Sequence, residues 1–242
     1  MSPTPLVRMP FRRLLAVLLA LAFTAAIFAA PVSAAGQAMR GVPPEGRLEF
    51  SVVKSGAEIG RHAIRFSEKD GALIVDIEAS LRVRFAFVTV YRYAQRTRET
   101  WRDGALVAFE SDIDDNGTPF RVRAELRDGA LHVNGHEEKL ALARGTHPLS
   151  YWNPDLMRQS KGIDLQWGSL AELDVAERGI ERRKVRGAEV ETRRFNMKGT
   201  EVKAGKRQPK PWLDVDAWYT AEGKLVGMAF HYRGFDFDYV LQ

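Results

Sequence analysis

Between Val75 and Tyr93 the odd positions read Val75, Ile77, Ala79, Leu81, Val83, Phe85, Phe87, Thr89, Tyr91 and Tyr93. Most of the even positions are polar, among them Asp76, Glu78, Ser80, Arg82, Arg84 and Arg92. Successive side chains of an extended chain point to opposite faces, so this alternation describes a β-ribbon with one apolar and one wetted side. Unbroken, it would run for about 60 Å, several times an ordinary strand. The ribbon must therefore bend or break, and residues 85–90 are the place. A sheet folded around its own apolar face follows.

The rest of the chain supplies strands and turns in the same style. Leu48, Phe50 and Val52 alternate with Arg47, Glu49 and Ser51, and Ser55-Gly56 turns the chain into a second strand, Ile59 to Phe66. Gly60 inside that strand predicts a bulge or the close approach of another backbone. Asp70-Gly71, Asp103-Gly104, Asn116-Gly117, Asp128-Gly129 and Asn134-Gly135 then recur at hairpin spacing, and such pairs supply the positive φ angles of tight turns. One short helix is expected, with Asn153 as its cap, Pro154 in its first turn, Asp155 near its positive end and Gly162 closing it. Weaker strands are predicted over 163–167 and 172–176, a charged, solvent-facing stretch over 177–194, and a basic loop over 203–211. Strands close the chain over 216–220, 225–232 and 235–241, with a turn or bulge at Gly234. The fold class is all-β, mainly antiparallel: a strongly curved sheet or incomplete barrel with one short helix.

The first residues read as an export signal. Arg8, Arg12 and Arg13 precede an apolar run from Leu14 to Ala30, and Val32-Ser33-Ala34 has the small-residue pattern of a cleavage site. The division is a signal peptide over 1–34, a flexible lead-in over 35–46 and a single β-rich domain over 47–242. An uncleaved membrane anchor is the competing reading, which Pro31 and the small residues after it disfavour. The expected location is periplasmic or secreted. The leader holds three arginines and no acid, which reduces the formal +5 of the chain by three and leaves no electrostatic case for nucleic acid. With no cysteine, the fold rests on its core alone, for which about 200 residues are ample.

Several groups of polar residues resemble sites without completing one. Asp112, Asp114, Asn116 and Gly117 match the first half of a calcium loop, but Arg123 stands where the bidentate glutamate belongs. His132 and His136 flank a turn, and two ligands do not make a zinc centre. His147 and Ser150 lack the strained turn that frames a nucleophile. No phosphate-cradling glycine loop is present, and no cofactor is implied. The arginines at 82, 84, 92, 96, 98, 121 and 123 form a stripe that could contact an anionic membrane surface, although Glu110, Asp112 and Glu125 are placed to pair with it across neighbouring strands.

The aromatic residues point furthest. Phe85, Phe87, Tyr91, Tyr93 and Trp101 share one parity, and Tyr151 and Trp152 arrive from the loop before the helix. Such residues line cavities for amphiphiles, offering apolar area with a hydrogen-bonding edge, and they also simply fill cores. The reading is a non-enzymatic binding or carrier protein holding a lipid-like molecule on a concave aromatic face. The alternatives are an envelope interaction protein with a filled core and, more weakly, a hydrolase using Ser150 and His147.

Tyr91 to Trp101 before Asp103-Gly104, Asp115-Asn116-Gly117, Tyr151-Trp152-Asn153, Trp218-Tyr219 leading to Gly223-Lys224-Leu225, and Tyr239-Val240-Leu241 together resemble a family of exported bacterial proteins defined as a domain of unknown function. More distantly, the strand order and Ile59-Gly60 are similar to another uncharacterised periplasmic family and to the half-barrels of outer-membrane lipoprotein carriers. That likeness implies an apolar concave face able to hold acyl chains.

Overall fold

Five of the expected turn pairs carry positive φ at both residues. Ser55, Asp70, Asp103, Asn116 and Asp128 lie between 50° and 53°, and the glycine after each between 71° and 95°. That is the backbone whose twist matches two flanking antiparallel strands. The computed structural model, which describes residues 39–232 and 235–242, accordingly begins as a meander. It runs through β1 (Arg47–Lys54), β2 (Ala57–Lys69), β3 (Ala72–Phe85), β4 (Val88–Arg102), β5 (Ala105–Asp115), β6 (Thr118–Arg127), β7 (Ala130–Asn134) and β8 (Lys139–Ala143). The leader over 1–34 and Gly234 lie outside the described residues.

The organising ribbon breaks where its length required. Phe85 pairs with Val88, Ala86 takes a φ of 52°, and the two halves lie against each other as β3 and β4. Asn134-Gly135 differs from the other pairs: it opens a longer loop to Lys139, in which the Gly135 N–H donates to the Glu138 carbonyl at 2.9 Å.

Beyond β8 come β9 (His147–Pro148), a 3-10 turn (Pro154–Arg158), β10 (Lys161–Ile163), β11 (Leu170–Val185), β12 (Ala188–Lys203), β13 (Lys206–Arg207), β14 (Leu213–Tyr219), β15 (Leu225–Tyr232) and β16 (Phe235–Leu241). The helix is thus shorter than its signals suggest. Asn153 caps it, its side-chain oxygen accepting from the Asp155 N–H at 3.0 Å, but Gln159 is already extended. Gly162 sits in β10, where a Cβ would come within 2.5 Å of Leu149. The charged stretch over 177–194 faces solvent along most of its length, and it does so as the outer half of the β11–β12 hairpin, closed by Arg186-Gly187 with φ of 48° and 83°. Arginine carries no turn preference, so that hairpin left only its glycine as a signal.

Connectivity forces the sheet to roll. Its order is β8-β7-β6-β5-β4-β3-β2-β1-β16-β15-β14-β12-β11-β10-β9, with β13 paired to β12. Flat, that path would be roughly 65 Å wide at the usual strand spacing. Yet its two edges, β8 and β9, are joined by residues 144–146 alone, a link of at most about 14 Å. The sheet therefore curls into an incomplete barrel, mainly antiparallel, with β9–β10 as a parallel pair. Its seam is bridged by loops: the His136 N–H donates to the Trp167 carbonyl at 2.8 Å, and Gly168 packs on Gly135 so tightly that a Cβ would lie 2.5 Å from the Gly135 Cα.

One apolar cluster fills the rolled sheet, drawing Phe50, Ile64, Val75, Trp101, Phe109 and Val122 from the meander and Trp152, Leu156, Met197, Val215 and Tyr219 from the later elements. Met39 and Val42 pack against it too, and Gly41 lies under the Trp152 carbonyl, so the lead-in is docked from Met39 onward.

Gly60 is the close approach its position implied. A Cβ there would stand 2.0 Å from the Ser80 carbonyl oxygen. Gly60→Ala is expected to cost about 3 kcal/mol or more in urea unfolding. Gly56→Ala, at a φ of 79° with nothing within 4 Å, should cost about 1–2 kcal/mol.

Candidate functional site

The inner face of β4 is not purely apolar. Tyr91, Tyr93, Gln95, Thr97, Glu99 and Trp101 share it by alternation, and their polar atoms form a ladder along the strand. The Tyr93 hydroxyl donates to Gln95 Oε1 at 3.0 Å, Gln95 Nε2 to Thr97 Oγ1 at 3.0 Å, and the Thr97 and Ser111 hydroxyls lie 2.9 Å apart. At the deep end Glu99 is fully buried, and its Oε2 accepts from the indole N–H groups of Trp101 and Trp152, both at 2.8 Å. Burial raises the Glu99 pKa above the ordinary carboxylate value, while donation from Trp152, Ser150 and Trp101 pulls the other way.

Around this clamp the aromatic packing is edge-on. The Trp101 and Trp152 rings are 5.5 Å apart at 84°, His147 meets Trp101 at 5.1 Å, and Phe66 meets Trp152 at 5.3 Å. Tyr151 is held at a φ of 65°, and its carbonyl accepts from the Tyr219 hydroxyl at 2.7 Å. His147 thus faces an aromatic ring and Ser150 a carboxylate, which is core packing and not a nucleophile with its base. The half calcium loop is a hairpin tip whose carboxylates are engaged: Asp112 pairs with Arg121 at 2.7 Å, and Asp114 accepts from the Gly117 N–H. His136 packs against Phe120 and Trp167.

Toward the β3–β4 turn the inner face opens. Tyr91, Tyr93 and Gln95 are half-buried, as are Leu81 and Val83 beside them and Phe230 and Tyr239 of β15 and β16. The Tyr93 pKa is driven well up by burial first and then by the charges of Tyr239, Asp164, Tyr91 and Asp115. His62 is buried between the rings of Phe50 and Tyr239, and neither ring nitrogen has a partner among the described residues. Burial lowers its pKa to about 4. Asp164 is buried nearby; burial raises its pKa to about 6 despite the backbone N–H groups of Trp167 and Gln166 on its Oδ1.

Six of the seven sequence-predicted aromatics can be placed, and they stand in three places. Trp101, Tyr151 and Trp152 are in the filled core, and Tyr91 and Tyr93 line the half-open mouth. Phe87 is fully exposed, because it sits in the β3–β4 turn beyond the paired part of the two strands, next to Ala86 at positive φ. The Phe85 side chain lies outside what is described. Sequence reasoning missed His62, Gln95, Glu99 and Asp164. Parity could have found the first three, since His62 alternates with Ile64 and Phe66, and Gln95 and Glu99 share the parity of Tyr93 and Trp101. Asp164 sits in a loop and gave no signal.

On the opposite face β2 to β7 form a broad cleft of about 1140 Å³ over small side chains such as Ala63, Ser80, Ala94 and Pro119. None of the predicted aromatics whose side chains are described lines it. Arg65 pairs there with Glu78 at 3.1 Å and Arg123 with Asp112 at 3.2 Å, so part of the expected cross-strand pairing forms.

The family model of a domain of unknown function, DUF6134, matches residues 50–242. The chain belongs to that family. Among solved structures, this DUF6134 chain is similar to a β-barrel-like protein of domain of unknown function DUF1849 from Brucella abortus, with 15% identity, 81% of this chain and 94% of that one covered, and a TM-score of 0.58. That likeness is one of fold. No curated protein matches the sequence.

The buried charges yield two measurements. Glu99→Gln keeps an acceptor for both indoles and should change stability little, whereas Glu99→Leu leaves two buried N–H groups unpaired and should cost about 2–4 kcal/mol in urea unfolding. His62 has the lower pKa in the folded chain, so its neutral form costs nothing above the ordinary value of 6.5, and stability drains as pH falls from there to about 4. Asp164 works in the opposite sense: its stability contribution is present below 3.8 and lost as pH rises to about 6. The His62 part is therefore isolated as the difference between wild type and His62→Leu, which should remove up to about 3 kcal/mol of acid-side loss in urea titrations at stepped pH.

Proposed function

We propose that this chain is an exported, non-enzymatic carrier that holds an amphiphilic, lipid-like molecule in the half-open mouth of its inner face. The observation that carries the reading is the inward-facing, half-buried set of Tyr91, Tyr93 and Tyr239, the last packed on His62, a buried imidazole whose two nitrogens find no partner among the described residues. Apolar area with a few convergent polar groups is the composition of a small-molecule site. Buried polar groups without partners are rare in native proteins, so His62 needs an explanation that packing does not supply. The polar end of an amphiphile would meet Gln95, His62 and the tyrosine hydroxyls, and its chain would lie along Leu81, Val83 and Phe230. Burial supplies the affinity: about ten methylenes, at ~0.8 kcal/mol each, match the ~8 kcal/mol of a micromolar complex before the cost of association. The reading requires no bond to be made or broken.

The test is organic extraction of the purified protein, mass spectrometry of the extract, and a comparison of two variants. Tyr93→Ala should lose the co-purifying lipid with a small change in melting temperature. Trp101→Ala should cost about 3–5 kcal/mol of stability, because it empties the packed core. An extract free of lipid, or a Tyr93→Ala protein that keeps its lipid, would favour an interaction protein with a filled core.

A further inference from the structure

The β3–β4 hairpin is an apolar point on a basic stem. Phe87 is 103% exposed, Val88 64% and Val90 53%, the densest run of exposed large apolar side chains among the described residues. By contrast, Ile180 on the β11–β12 hairpin stands among Glu181, Arg182, Arg183 and Lys184. Exposed apolar clusters of this kind mark interaction sites. From Ala79 to Arg98 the chain holds five arginines and no acid. Arg98 is neutralised by Asp76 at 2.7 Å, and Arg92 reaches Asp114 only at 3.9 Å. Arg82, Arg84 and Arg96 form no ion pair among the described residues. Arg82 lies directly opposite Arg92 across the two strands, a like-charge pairing that is unfavourable until an anion comes between them.

From this arrangement we infer that the hairpin is a membrane finger, which inserts Phe87, Val88 and Val90 into a bilayer and sets its arginines against anionic head groups. The tip is convex and its side chains point away from the body, which suits a fluid apolar medium. The spacing also fits. Arg84 and Arg82 lie three and five residues behind Phe87, roughly 10–16 Å along an extended strand. A tip sunk 5–10 Å past the head-group boundary, the depth typical of interfacial segments, would bring those arginines to the level of the phosphates. The inference does not depend on the mouth being a binding site.

The chain has no cysteine, so Phe87→Cys gives a unique attachment point for an environment-sensitive fluorophore, with Val88→Cys as an equivalent second position. Labelled protein is titrated with vesicles of phosphatidylcholine alone and of phosphatidylcholine with phosphatidylglycerol. The expected result is a blue-shifted, brighter emission on the anionic vesicles, quenched by spin labels on the acyl chains and weakened by salt. Arg82→Gln and Arg84→Gln should each weaken binding about fivefold, the factor equivalent to ~1 kcal/mol per basic residue near an anionic surface. The same fluorophore on Asn116→Cys, at the β5–β6 tip, should not respond. No shift on either vesicle, or an equal shift on both, overturns the proposal. So does an equal response at position 116, which would mean that the leader or the whole surface adsorbs. A shift that grows with protein concentration without lipid would assign the tip to a second copy of the chain instead.

Discussion

A buried carboxylate accepting two indole N–H groups sets the internal plan of this molecule. Glu99 belongs to the meander, and Trp152 to the crossing segment that links the parallel strands β9 and β10. Removing a carboxylate from water is costly, and the cost is tolerable here because the donors of Trp101, Trp152 and Ser150 replace much of its hydration. The crossing segment is thereby fixed over one end of the inner face, with Leu156, Met157 and Tyr151 packed under it. That end is filled. Toward the other end Tyr91, Tyr93 and Tyr239 are half-exposed among the described residues.

The rolled shape has a simpler cause. Two edge strands at opposite ends of a wide sheet are consecutive in sequence, and three linking residues cannot span a flat sheet. Curling brings the edges near each other without hydrogen-bonding them together, and the seam is bridged by glycine contacts and by the Trp167 loop over Phe120 and His136. The two faces then acquire different chemistry. The outer face carries ion pairs such as Arg121–Asp112 and Arg98–Asp76, which are solvated and worth little individually. The inner face carries most of the packing energy and the buried ionisable groups His62 and Glu99.

Those ionisable groups separate the two ends of the interior. Glu99 Oε2 is held by two indole N–H groups, while its Oε1 has no hydrogen-bond partner among the described residues. Neither nitrogen of His62 has a partner among them, and its ring lies against Tyr239. Family membership and the β-barrel-like neighbour agree with the architecture. The proposed chemistry of the mouth rests on the residues themselves.

Alternation and turn chemistry, both local properties, made the all-β class, the five tight turns, the break near Phe87 and the tight spot at Gly60 legible in the sequence. Local signals misled where tertiary packing overrode them, as at Gly162, which looked like a helix stop and is a strand residue pressed against Leu149; the charged run at 177–194 is the surface it looked like, though nothing local showed that it folds as half of a long hairpin. Parity named the residues of the inner face, but it could not say which of them would be covered. Burial depends on what arrives from elsewhere in the chain, and only the tertiary structure brings Trp152 onto Glu99 while leaving Tyr93 at the opening. The seven aromatics were therefore visible as a set from the sequence, whereas the division of the six that are placed into core, mouth and exposed tip was decided by the crossing segment and by the β3–β4 turn.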